Sequence, residues 1–400
     1  MRWIGVGIGL VVLSTVLISG PAGAAESQRA YAWGDPWSSP ASGYHYDVPV
    51  TVSGIPGVIE QISASNAASY ALTKTGVVWA WGAGQFGALG NGTTPAYSAR
   101  AVRVTFPRGV TIKTLASPMP YDAGLAIDTH GNVWGWGSNF KSPLCAISGN
   151  VLVPRKLPLT DVTEASGAGL HALFYAGGKL YGCGGNASGE LGNGTTTTAS
   201  EPTLVVGLPH LAIRAVVSSW EGSGALMANG DYYDWGFNAA DQLGNGTTSN
   251  SAVPVRVALP GPVRQVFMGG SDRSNGQTVA ILDNDTTWSW GSDQYGQLGI
   301  GKVAPSGAPA EVDLPKGVKF SLVNSGGSTS YAIDSTGKFW SWGQNNVGQL
   351  GLEFKASSDV PVRVGIELTA VSSTAANVEG LWRADQGQKH RHHRSRTTSQ

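Results

Sequence analysis

Chemistry in this 400-residue chain has few side chains to draw on. Asp122, Glu221 and Asp272 stand at corresponding places in a repeated pattern, and two carboxylates facing one another are what glycan cleavage uses as acid and base. No Gly-x-Ser-x-Gly, His-Glu-x-x-His or Gly-Lys-Thr string occurs, so acyl transfer, zinc hydrolysis and phosphate chemistry have no motif here. Cys145 and Cys183 lack the spacing and the His company of a zinc site. The run Lys389-His390-Arg391-His392-His393-Arg394-Ser395-Arg396 has no apolar partner and reads as a solvated tail. Such a tail could tether the protein to an anionic surface polymer or hold a metal weakly.

More of the informative residues suit binding than catalysis. Phe86, Met119, Tyr121, Phe140, Trp220 and Tyr295 fall on two kinds of loop, with Asp122, His171, Glu221, Asp272 and Arg273 among them. Aromatics, Met and Arg in a cluster are the make-up of an interface hot spot. These residues interrupt the repeat rather than follow it, which marks them as functional candidates on a rigid scaffold.

That scaffold is legible in the spacing. A strand ends in Trp-Gly at Trp33, Trp81, Trp136, Trp235, Trp290 and Trp342, with Cys183 standing for Trp in one copy. These anchors lie 47 to 55 residues apart, and a period near fifty signals a repeat architecture. The pattern is clearest from 254 to 343, where it begins with a Pro-led strand (253–257), a second strand (263–267), a small-residue hairpin, an apolar strand (278–282), then the Trp strand (286–290). Alternating β-branched and aromatic residues bounded by Gly, Asn, Asp and Pro read as strands and turns. No stretch sustains a 3.6-residue period, so helices should be few.

Four antiparallel strands repeated seven times predict an all-β fold, a seven-bladed β-propeller of four-stranded antiparallel blades. The first copy (29–34) opens directly on the Trp strand. Segments 368–372 and 380–385 should supply its missing partners, closing the ring in one shared blade and removing exposed edges. Because consecutive strands alternate direction, the small-residue hairpin and the long loop after Trp-Gly open on one face. The binding candidates sit on those two loops.

The ends and composition set the context. Met1-Arg2, an apolar run over 4–18 and Ala22-Gly23-Ala24 read as a secretory signal peptide, 1–24, followed by the propeller, 25–387, and the tail, 388–400. Without Arg2 and the tail cations Lys389, Arg391, Arg394 and Arg396, 21 basic residues face 26 acidic ones. A mildly acidic body is a poor match to nucleic acid. The expectation is a secreted monomer, with no membrane span after cleavage. Export permits a disulfide. Cys183 replaces a Trp expected to be packed, however, so a pair of small buried hydrophobes is the other reading, and the sequence does not decide between them. Asn-x-Ser/Thr triplets at Asn91, Asn186, Asn193, Asn245 and Asn284 are mostly by-products of turns.

The Gly-bounded Ala-Leu strand, the aromatic-x-Trp-Gly strand and the Gly-Gln-Leu-Gly-x-Gly loop resemble the repeat of the regulator of chromosome condensation family, over nearly all of 28–387. The resemblance implies a seven-bladed propeller. For function it implies protein binding of several kinds. The family includes a nuclear nucleotide-exchange factor for a small GTPase and also secreted bacterial propellers, one of them a β-lactamase inhibitor with a similar layout. A β-lactamase or penicillin-binding enzyme is therefore one candidate partner, while the exchange role is at odds with export. The sequence departs from the family pattern in two places. Only His171 stands near the usual His after the hairpin, and Phe140-Lys141-Ser142-Pro143-Leu144-Cys145 replaces Gly-Gln-Leu-Gly. The reading is a secreted protein-binding propeller, inhibitor or adaptor, without catalysis, metal or cofactor. A glycan-binding or glycan-cleaving propeller is the second reading.

Overall fold

Each repeat folds into one twisted sheet because its strands are too short to bury their apolar faces alone. The computed structural model describes residues 28–34, 46–66, 68–119, 121–271, 274–352, 356–373 and 377–383. Their strands sort into seven four-stranded antiparallel sheets, an all-β propeller. The one helical element among the described residues is a 3-10 turn, Gln85–Gly87.

The blade spanning 263–311 shows the pattern: Val263–Gly269 innermost, then Gln277–Leu282, Thr287–Gly291 and Ser306–Glu311 at the outer edge. We number blades 2 to 7 as 59–103, 112–156, 162–204, 213–256, 263–311 and 320–367. Blade 1 draws on both ends of the chain, in the order Tyr46–Thr51, Gln28–Gly34, Asn377–Arg383, Ala370–Ser373. Gln28 stands opposite Arg383 and Gly34 opposite Asn377, with every position between them paired. Its innermost strand packs against the innermost strands of blades 7 and 2. Prolines 154, 202, 254, 309 and 361 lie on outermost strands, where a missing N–H costs no ladder bond.

Two devices hold neighbouring blades together. Toward the axis, Gln61 donates to the Leu115 carbonyl at 2.9 Å and accepts from the Leu115 N–H at 2.8 Å. Gln265 likewise accepts from the Val323 N–H at 2.9 Å, so inner edges that would otherwise be unpaired are satisfied. Between blades, Trp136, Trp235, Trp290 and Trp342 are fully buried, each against a glycine of the preceding blade's long loop. A Cβ on Gly90, Gly192, Gly244 or Gly299 would come within 2.6 to 2.8 Å of those indoles. The glycine is required by close approach as well as by its positive φ.

One blade boundary is built differently, and here the structure decides what the sequence left open. Cys145 and Cys183 form a disulfide, with Cα atoms 5.6 Å apart. Cys145 occupies the loop position of Gly90, and Cys183 the position of the packed Trp. The small-on-large contact of the other boundaries is thus replaced by a covalent bond between blades 3 and 4. The lost Gly-Gln-Leu-Gly element and the Cys-for-Trp exchange are two halves of one change.

Candidate protein-binding site

The top of the ring is made by the inner hairpins and the long loops together, as the alternation of strand direction requires. The hairpins are stitched around the rim through their backbones. Asn66 N–H donates to the Tyr121 carbonyl at 2.8 Å, and Tyr121 N–H to the Gly169 carbonyl at 3.1 Å. Gly169 has φ +51°, and a Cβ there would stand 2.2 Å from the Trp220 carbonyl oxygen. Only glycine lets the blade 4 and blade 5 hairpins approach so closely.

Two hollows open on this face. The channel mouth, about 430 Å³, takes residues from all seven blades, among them Asn66, Pro118, Met119, Tyr121, Trp220 and Met268. A groove of about 980 Å³ lies beside it between blades 2, 3 and 4, walled by Phe86, Phe140, Pro143 and Leu170, with Tyr121 and Asp122. Tyr121 and Gly169 line both hollows, so the two adjoin. The Tyr121 and Trp220 rings meet edge to face, centroids 5.0 Å apart, a favourable aromatic arrangement. Phe86 and Phe140 are 47% and 63% exposed, large apolar faces left mostly open.

The groove loop of blade 3 carries backbone strain. Lys141, Ser142, Cys145 and Ala146 all have positive φ, and Ser142 and Cys145 stand where blade 2 has Gly87 and Gly90. Each such residue costs about 1–3 kcal/mol, which survives only where surrounding structure enforces it. Enforcement comes from the disulfide, from Asn139, which accepts the Leu144 N–H at 2.9 Å, and from the buried Leu144.

Electrostatically, Asp122 stands out. Its carboxylate has no hydrogen bond or ion pair among the described residues, and burial pushes its pKa up to about 6. Deeper in the channel, burial pushes Glu164 up to about 7 against the pull of Lys113.

Of the residues singled out from sequence, Phe86, Tyr121, Asp122 and Phe140 come together in the groove, and Trp220 joins them through Tyr121. Met119 reaches the mouth but is 2% exposed and packs into the core. His171 is a correction: it is 1% exposed, with Nε2 2.8 Å from Ser223 Oγ, and burial drives its pKa down to about 4. It is a neutral scaffold histidine. Glu221 lines a smaller hollow beneath Trp220, separate from Asp122's groove, so the structure does not bring these acids into one pair. Tyr295 is exposed but lines neither main hollow. Asp272 and Arg273, like residues 1–24 and the basic tail, lie outside the described residues. Sequence reasoning missed Leu170, Pro143 and Met268. The first two sit on the same loop types as the named candidates, and Met268 lies at the end of an innermost strand. No described helix is long and apolar enough to cross a membrane.

The pattern of the Regulator of chromosome condensation (RCC1) repeat matches residues 75–117, 177–226, 229–271, 284–333 and 336–376. The chain is 26% identical over 322 residues to the ultraviolet-B receptor UVR8 of Arabidopsis thaliana, covering 78% of this chain and 71% of the receptor. It is 29% identical over 248 residues to the human E3 ubiquitin-protein ligase HERC2, covering 60% of this chain but 5% of the ligase. It therefore spans only a small part of that relative. Among solved structures, yeast RCC1 (Prp20) with Kap60 bound superposes with a TM-score of 0.74 at 20% identity, covering 89% of each chain.

Proposed function

The chain belongs to the regulator of chromosome condensation repeat family, and from that premise we propose that it is a secreted protein-binding propeller engaging its partner through the groove and channel mouth. The observation that carries this reading is the continuous aromatic surface from Phe86 and Phe140 through Tyr121 to Trp220, held on a backbone-stitched rim. Aromatic anchors on rigid loops provide contact area at low entropic cost. The relatives support binding in general terms, since a yeast propeller of the same architecture was crystallised with Kap60 bound. The nature of the partner rests on the reading of residues 1–24 as an export signal, which points to an extracellular or cell-surface protein, a β-lactamase or penicillin-binding enzyme among the candidates. The role is inhibition or adaptation without catalysis.

The test is affinity capture with the full mature chain against secreted and cell-surface proteins, beside a Tyr121→Ala, Trp220→Ala variant. A partner held by the wild type should bind the variant about thirtyfold or more weakly, as loss of hot-spot aromatics does, with little change in melting temperature. A direct assay of β-lactamase turnover with added propeller tests the inhibitor role. Capture of the same proteins by both forms would remove this face from consideration.

A further inference from the structure

We propose that the groove between blades 2, 3 and 4 receives an extended segment of the partner that brings a lysine or arginine to Asp122 and lays a flanking apolar side chain toward the channel mouth. This rests on the protein-binding reading above and specifies its ligand.

Three observations converge on a cation. Asp122 is half-buried yet unpartnered, so it has been withdrawn from water without compensation, and an arriving cation gains more there than at an open surface. Aromatic rings wall the same groove, and their faces attract cations. The groove already shows the preference locally, because the Lys141 ammonium lies 5.6 Å from the centroid of the Phe140 ring. An acidic segment would meet an uncompensated carboxylate, and a purely apolar one would leave that carboxylate buried and unmet.

The dimensions favour a chain segment over a single small cation. The groove alone exceeds one side chain in volume, and it adjoins the mouth at Tyr121 and Gly169. The mouth offers the Trp220 ring, with Tyr121 edge-on beside it, to an apolar anchor. The groove wall is held by the disulfide and its strained loop, and such preorganisation lowers the cost of ordering on binding.

Charge linkage follows. Asp122 gains its charge as pH rises through about 6. Around it, Tyr121 and Tyr70 are both pushed above the usual tyrosine range by burial and stay neutral, while His171 charges only near 4. Lys141 sits at the rim, and Glu221 faces another hollow.

The experiment is selection of displayed random peptides, of about twelve residues to match an extended groove ligand, on the immobilised full chain. Selected peptides are re-measured by fluorescence anisotropy against Asp122→Asn and Phe140→Ala, both checked for native near-ultraviolet spectra. Enriched peptides should share one basic residue beside an apolar one, and replacing that residue by norleucine should weaken binding about tenfold. Asp122→Asn should give the same loss and abolish any distinction between the two peptides. Affinity for the wild type, and not for Asp122→Asn, should fall as pH drops from about 7.5 to about 5.5. Enriched peptides without a basic residue that are still lost on Phe140→Ala would overturn the cation inference and leave the binding groove standing. Failure to enrich, or peptides indifferent to both variants, would overturn the groove as well.

Discussion

At the scale of single residues, the repeat supplies its own controls. The residue just before the anchor of the third strand is small in blades 2, 3 and 4, namely Ala80, Gly135 and Gly182. In blades 6 and 7 it is Ser289 and Ser341, whose hydroxyls donate to the carbonyls of Leu298 and Leu350 at 2.6 and 2.7 Å. Blade 5 has Asp234 there, fully buried, with neither carboxylate oxygen hydrogen-bonded. Burial pushes its pKa well above the usual carboxylate range, against the pull first of the Trp235 backbone N–H and then of the Trp290 indole and the Tyr232 hydroxyl. Asp234→Ser should therefore stabilise the protein by about 1–3 kcal/mol, the cost of an unsatisfied buried polar group. The sign of its pH dependence is fixed. The folded state keeps a proton that the unfolded chain releases above about pH 4, so the aspartate's cost grows as pH rises toward its folded pKa. Urea denaturation at about pH 5 and pH 8 should show a larger gain from the serine at pH 8, and an equal gain at both would contradict a protonated Asp234. His171 runs the other way: its contribution is full above about 6.5 and is lost as pH falls toward 4. Neither environment is legible in the sequence, because burial comes from the adjoining blade. The same holds for Asn186, which begins a glycosylation triplet yet is fully buried, accepting from the Leu191 N–H at 2.8 Å.

At the scale of elements, the blade 3 loop shows how two visible irregularities combine. Both departures from the repeat can be seen in the sequence. Pairing them requires knowing that the loop glycine of one blade packs on the tryptophan of the next, which is a tertiary fact. Replacing both cysteines by serine should cost about 2–4 kcal/mol, as loss of a structural disulfide does. It should also slacken the wall that carries Phe140, so affinity falls further than stability alone would explain. The pair Cys145→Gly, Cys183→Trp rebuilds the contact used at the other boundaries, and should recover a native near-ultraviolet spectrum and a melting temperature indifferent to reductant. Cys183→Trp alone leaves a Cβ against the new indole and should be worse than either pair. A milder probe is Ser142→Gly, which removes one positive-φ side chain and should add about 1 kcal/mol of stability in thermal denaturation. No gain would mean that the loop relieves that strain in another way.

At the scale of the whole molecule, blade count and strand order could be read from seven anchors because each blade repeats the same physical problem. The second strands, such as Ala68–Thr73 and Gly222–Met227, are buried at every position, so alternation fails there and the fifty-residue period carries the information instead. The site was less legible, since Phe140 and Met119 lie on neighbouring loops and end at opposite extremes of exposure. Blade 1 is where the whole fold can be tested. Among the described residues its two halves are joined by the ladder between Gln28–Gly34 and Asn377–Arg383, and Ala370–Ser373 is the inner strand that packs between blades 7 and 2. Removing 370–383 would strip the partner from an entire strand and expose inner edges on both flanking blades, each a template for pairing with another molecule. The truncated chain should melt at a lower temperature with a broader transition and elute as associated species by size exclusion. A synthetic peptide of 370–383 added in trans should restore much of the loss, since it needs only strand pairing and burial to bind. Unchanged melting and elution would show that the six internal blades hold the ring without the seventh, and would place the stability of this propeller in its blade-to-blade contacts.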